Sequence, residues 1–169
     1  MVKILLLLLI LWGSFSSLAY GEEREYQIKA AFLYNFVRFI EWPQEPTADI
    51  VIGILGEDPF GSAIETIEGK PAKGKTLVIK RFSELKGLEN CHILFISRSE
   101  EGQLSFILGK LKNTSVLTVG EMSQFNQKGG MIQFLIEENK IRFSVHLTIA
   151  KERGLQISSQ LLKLAKNTY

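Results

Sequence analysis

The chain has 169 residues, with one cysteine, four prolines and two histidines. A lone thiol, Cys91, rules out an internal disulfide and with it a cross-linked scaffold. It precedes His92 and the apolar run Ile93 to Ile96, so it reads as a small buried hydrophobe at the head of a strand. His92 and His146 are far apart, there is no H-E-x-x-H, and one cysteine adds little, so no metal centre is expected. The G-x-S-x-G nucleophile elbow and the G-x-G-x-x-G dinucleotide fingerprint are also missing. Gly69-Lys70 and Gly74-Lys75 lack the upstream glycine and downstream hydroxyl of a phosphate-binding P-loop. No basic stripe is interleaved with aromatics, which argues against nucleic-acid binding. Repeats and low-complexity linkers are absent.

What is present fits one globular domain. Hydrophobic residues make up 46% and charged residues 22%, and a chain of this length can bury a core without staples. The N-terminus has the layout of a secretory signal peptide: Lys3, an apolar run from Ile4 to Trp12, then small residues at Ser17, Ala19 and Gly21. That run is shorter than the roughly 20 residues of a spanning helix. Cleavage after Ala19 or Gly21 is expected, leaving residues 22–169 as the mature domain outside the inner membrane. No cysteine stands near the cleavage region to carry a lipid. Removing the leader lowers the basic count from 20 to 19, against 18 acids, so part of the apparent basicity is a targeting feature.

Along the mature chain, helix-like and strand-like segments alternate. The pattern predicts an α/β fold: a single layered domain, a mixed sheet of about five to six strands flanked by helices. Glu25 to Ile40 is the strongest helix, with Ile28, Phe32, Phe36 and Phe39 on one stripe and Leu33, Val37 and Ile40 beside it. This apolar sector is wide for a helix lying on one sheet. Either the helix is buried on two sides within the chain, or part of its face meets another chain. Strands are expected at 49–55, 74–80, 91–97 and 116–119, with a helix at 99–111. Short helices are expected after Gly61, at 120–127 and at 147–153, and a longer one within 155–166. Residues 131–136 and 141–145 flank Glu137-Glu138-Asn139-Lys140 as a hairpin.

Gly53 to Gly61 joins a strand, a glycine turn and a helix start. Asp58 suits an N-cap and Pro59 the first helical position. Gly56, Asp58, Phe60 and Gly61 are candidates for a small-ligand pocket at a strand's carboxyl end, though a capped βα turn is the simpler account of them. Ser158-Ser159 has no identifiable base nearby and reads as a helix cap. Glu137 and Glu138 would face opposite sides of a strand. No catalytic constellation emerges, no cofactor is expected, and a binding protein is the remaining class.

Several segments stand out in order: Tyr26-Gln27-Ile28-Lys29-Ala30-Ala31-Phe32-Leu33-Tyr34-Asn35-Phe36 with Phe39-Ile40-Glu41-Trp42-Pro43, then Gly53 to Gly61, Cys91 to Ile96, Val116 to Gly120, Gly129 to Phe134, and Ile141-Arg142-Phe143 with Ala150 and Gly154 to Leu162. Taken together they resemble the YfiR family. The resemblance implies a periplasmic, non-catalytic negative regulator. Such a protein binds the periplasmic sensory part of a membrane diguanylate cyclase, lowers cyclic di-GMP and so disfavours biofilm growth. It also implies a tendency to form a homodimer, and an outer-membrane lipoprotein that can sequester the regulator. Two departures stand out. Some relatives carry disulfides, whereas this chain has only Cys91, and His146 stands where asparagine is expected in many of them. That histidine would either tune a local hydrogen bond or add pH sensitivity. On this reading the partner-binding surface is expected around Phe32, Phe36 and Phe39, with Glu138 and Arg142 as polar contacts. The rival reading is a ligand-binding sensor module serving another membrane receptor or a histidine kinase.

Overall fold

The structure is a computed structural model that describes residues 2–44 and 48–169, with side chains from Gly21 onward. The side chains of the apolar leader read as a signal peptide lie outside the described residues. Among the described residues no helix is long and apolar enough to cross a membrane.

The first helix, α1 (Val2–Phe39), runs directly into β1 (Ile40–Glu41). The main sheet then builds from β2 (Ile50–Leu55), β3 (Pro71–Ala72), β4 (Lys75–Phe82), β5 (Ile93–Ile96), β6 (Leu117–Gly120), β7 (Ile132–Glu137), β8 (Lys140–Val145) and β10 (Asn167–Thr168). Helices α2 (Leu104–Lys110), α3 (Leu147–Glu152) and α4 (Ser159–Leu162) intervene, and β9 (Gln156–Ile157) pairs with β1 in a separate ribbon. The strand order is β10-β8-β7-β6-β5-β2-β4-β3. The sheet thus holds eight strands where the pattern predicts five or six. The surplus pair, β3 and β10, are two-residue edge strands too short to show any periodicity.

The pairs among β4, β2, β5, β6 and β7 are parallel, and β7–β8 is antiparallel. The sheet is therefore mixed, as the hairpin signal predicts. Glu138 and Asn139 form its two-residue turn, both with positive φ (48° and 58°), the backbone of a type I′ hairpin.

Side-chain alternation sends Ile50, Ile52, Ile54, Ile93, Phe95, Val119, Phe134 and Phe143 to one face and Leu55, Leu94 and Ile96 to the other. The first face packs against α1, which contributes Ala30, Leu33, Phe36 and Val37, with Ile40 of β1 following on. The second is covered by α2 through Leu104, Ile107 and Leu108, with Leu111 just beyond it. Of the two apolar stripes on α1, the Leu33–Val37–Ile40 line is fully enclosed, while Phe32 and Phe39 lie half-buried on its flank. Ala30, with almost no side chain, occupies a fully buried position on that enclosed line.

Four expected helices come out differently. The segment after Phe60 is a 3-10 helix, Gly61–Thr66, and residues 98–103 are also 3-10, leaving α2 shorter than expected. Residues 120–127 form turns in place of a helix. There Phe125 sits so close to Gly120 and Gly130 that a Cβ at either glycine would overlap its ring. The last predicted helix shrinks to the four residues of α4, because Gln156–Ile157 and Asn167–Thr168 are drawn into strand pairing at either side.

Candidate functional site

Counting only the longer strands in chain order, the parallel part of the sheet reads second, first, third, fourth, fifth. The connections leave β2 in opposite directions, so the carboxyl ends of β2 and β5 open onto the crevice where α/β sheets bind ligands. An open cleft of about 540 Å³ lies there, lined by Glu25 and Tyr26 of α1, Glu57 and Asp58 after β2, Arg98 and Ser99 after β5, and Glu121 after β6.

A buried charge cluster ties α1 to this end of the sheet. Lys29, one turn after Glu25, points inward and its ammonium is held by both Glu25 and Glu121. The side chains of Lys29 and Glu121 are only 3% and 8% exposed. Tyr26 donates its hydroxyl to Glu121 Oε1 at 3.0 Å, and Lys29 Nζ lies 4.3 Å from the Tyr26 ring centroid. Arg98 Nε approaches the same Glu121 oxygen at 4.0 Å from a largely exposed side chain. Burial, and then the charge of Glu121, push the Tyr26 phenol well above its ordinary value. A buried charge needs partners of this kind, since an isolated one in the interior is very costly.

Of the predicted pocket residues, only Asp58 lines the cleft. It does not cap a helix as expected. Its Oδ1 accepts from Phe60 N at 2.8 Å and its Oδ2 accepts from Arg81 Nε at 2.7 Å, so it braces the turn. Gly56 serves the backbone: its φ is +88° and a Cβ would overlap Ser99 and Glu100. Phe60 is core, packed edge-on against Tyr26 and Phe95. Gly61 is exposed, with φ +50°.

The predicted partner-binding residues do not form one surface. Phe36 is fully buried against Phe134 and Phe143 and presents nothing to a partner. Phe32 is half-buried over the same two rings. Phe39 lies at the other end of the helix, half-buried beneath Arg38. Glu138 is at the exposed hairpin tip. Arg142 is exposed beside Phe143, and by alternation it faces away from α1. Ile28 and Ile136, not among the predicted contacts, are exposed near Phe32 on the α1 side, at 39% and 59%.

At the opposite end of the sheet, a second recess is lined by Trp42, Cys91, His92 and Val116. His92 Nδ1 accepts from Val51 N at 3.1 Å, and Trp42 Nε1 donates to His92 O at 3.3 Å. Burial lowers the His92 pKa, and pushes the Cys91 thiol up to about 11. The remaining nucleophile and base candidates are helix caps: Ser158 Oγ accepts from Leu161 N and His146 Nδ1 accepts from Ile149 N. His146 thus makes a local hydrogen bond at the start of α3.

The sequence profile of the YfiR/HmsC-like family matches residues 26–166. The chain belongs to the YfiR/HmsC-like family. The match runs from within α1 through β9 and α4 and stops just before β10. It places the chain in a regulatory family of the periplasm. No curated protein matches it by sequence. Among solved structures, a conserved domain protein of Vibrio cholerae O1 biovar eltor is similar in fold, with a TM-score of 0.53 at 10% identity. That alignment covers 70% of this chain and 54% of the other. An ABC domain from Streptococcus pneumoniae in complex with L-Trp aligns with a TM-score of 0.51 at 11% identity, covering 71% and 55%. The chain therefore spans about half the length of these solved chains, and at such identity the likeness concerns the fold alone.

Tyr26, Lys29, Arg98 and Glu121 were not legible as a group. The one local signal is a Lys at i+4 from Glu25, on the turn of α1 that precedes the enclosed stripe, and Glu121 lies 92 residues further on.

Proposed function

We propose that this YfiR-like protein is exported, loses its leader near residue 21, and acts in the periplasm as a negative regulator. It binds the sensory part of a membrane diguanylate cyclase and lowers cyclic di-GMP signalling. The observation that carries this reading is the family match across residues 26–166. The regulator works by preferring the inactive form of the sensor, and its effect is bounded by its differential affinity for the two forms. Sequestration by an outer-membrane lipoprotein would relieve it, and a homodimer is the expected form.

The contact surface is best sought on the α1 flank around Phe32, where Ile28 and Ile136 are exposed, with Glu138 at its margin. The test is cyclic di-GMP measured in the native host. Deleting the gene raises the level, re-expression restores it, and Ile136→Asp restores it poorly although the variant folds. An unchanged cyclic di-GMP level on deletion overturns the reading.

One observation favours a second, compatible role. The cleft at the carboxyl ends of β2 and β5 has the position and volume of a small-molecule site. Occupation there would let a ligand adjust the regulator.

A further inference from the structure

Beyond β4 the sheet is only half covered. The short β3 reaches just the start of that strand, pairing Pro71 with Thr76 and Ala72 with Lys75. Leu77 is the last residue served there: its N–H donates to Lys70 O at 3.0 Å and its carbonyl accepts from Gly69 N at 2.8 Å. The backbone groups of Val78, Lys80 and Phe82 face β2, as the bond from Gly56 N to Phe82 O at 3.0 Å shows. Alternation therefore turns the N–H and C=O of Ile79 and Arg81 outward, and among the described residues no strand pairs with them. Residues 78–82 thus leave roughly 16 Å of edge open.

The side chains along this edge are sorted by face. Leu77 and Ile79 enter the core beneath α1. Arg81, on the same face, is bonded to Asp58, with Glu65 at 4.0 Å. On the other face stand Val78, half-buried, Lys80, exposed, and Phe82, half-buried against the second core cluster. Lys80 makes no ion pair among the described residues, and Glu89, which like Lys80 acts on the Cys91 thiol, does not pair with it. Residues 69–82 hold five cations and no acid. Lysine and proline on an edge deter pairing with like strands. A second copy laid antiparallel across the two free positions sets Lys80 opposite Lys80, and like charges directly opposite are destabilising. An acidic strand meets no such penalty.

We propose that the open half of β4 is a docking edge for an extended acidic segment of a partner protein, which adds a ninth strand to the sheet. The backbone groups of Ile79 and Arg81 supply the ladder. A carboxylate opposite Lys80, flanked by apolar residues against Val78 and Phe82, supplies the selection. This edge and the α1 flank over β7 lie at different sides of the sheet, so the edge stands whether or not that flank binds a cyclase.

The test is amide hydrogen exchange, residue by residue, on the protein purified after expression of the full chain. The probes are a short peptide of alternating valine and glutamate, its valine–lysine counterpart, and the acidic peptide interrupted by prolines, which cannot sustain a ladder. The acidic peptide slows exchange at the Ile79 and Arg81 amides saturably, and less as salt is raised. The other two do not. Lys80→Glu weakens the acidic peptide roughly fivefold, the scale of one cross-strand charge pair, and admits the lysine peptide. Lys80 is exposed, so the melting temperature of the variant without peptide stays unchanged. Protection of the same two amides in the protein alone, lost on dilution as a dimer dissociates, assigns the edge to a second copy and overturns the proposal. Equal binding of the two charged peptides, protection elsewhere on the molecule, or no binding of any probe overturns it as well.

Discussion

At the carboxyl ends of β2, β5 and β6, a buried lysine is held by two glutamates and lies over a tyrosine ring whose hydroxyl donates to one of them. At the amino ends of β5 and β6, a tryptophan, a neutral histidine and a cysteine pack together, with hydrogen bonds only to backbone. Both ends are partly closed recesses on the same sheet. They differ in how burial was made tolerable: by pairing charges at one end, by keeping every group neutral at the other. The first arrangement collapses when a partner is removed, and the second when a proton is added.

The largest expected effect follows from breaking the paired end. Lys29→Ala leaves Glu25 and Glu121 facing each other with their cation gone. Uncompensated buried charge of that kind costs about 3–5 kcal/mol, read as a fall in the urea midpoint. Nothing comparable is expected from Trp42→Phe at the other end, which keeps the apolar contact and loses one hydrogen bond.

The two ends also fail at opposite extremes of pH. Tyr26 has a raised folded-state pKa, so its contribution is fully present below the ordinary phenol value of about 10 and is lost as pH rises further. Thermal melts should show an alkaline loss of stability that Tyr26→Phe reduces. His92 has a lowered folded-state pKa because of burial. Its contribution is present above the ordinary imidazole value of about 6.5 and is lost as pH falls, when Nδ1 gains a proton and can no longer accept from Val51 N. His92→Gln should flatten this smaller acid limb and leave the alkaline one alone. A single pH limb shared by both variants would refute the distinction between the ends.

The smallest effect concerns Cys91. With its thiol pushed up to about 11 by burial, it should react negligibly with a disulfide reagent at pH 8 in the folded protein and readily once the protein is denatured.

The layered α/β architecture was readable because strand alternation and the wide face of α1 are strong, local periodic signals. Ile93 to Ile96 reads as a buried strand and is one, and the Glu138-Asn139 turn lies where the hairpin signal puts it. The 3-10 and turn segments were not readable, since an apolar spacing that suits a helix also suits a tight turn with the same burial, as Met122 and Phe125 in the 120–127 turns show. The partner-surface residues misled for a related reason. Helical spacing groups Phe32, Phe36 and Phe39 on one stripe, but a rotation of α1 by part of a turn decides which of them the sheet encloses, and that is set by contacts with β7 and β8. The charge cluster was hidden because Glu25 and Lys29 look like an ordinary exposed helical pair. Only the return of the chain at Glu121 makes them interior.

Phe125, seated between two glycines on neighbouring segments, bears on how the protein can change over time. Any side chain introduced at Gly120 or Gly130 collides with the ring unless residue 125 shrinks first, and shrinking it alone leaves a hole beneath Met122 and α2. The three positions therefore form a ratchet. A lineage passing from one packing to the other must cross a less stable intermediate, so this corner of the sheet should drift more slowly than the exposed loops around it.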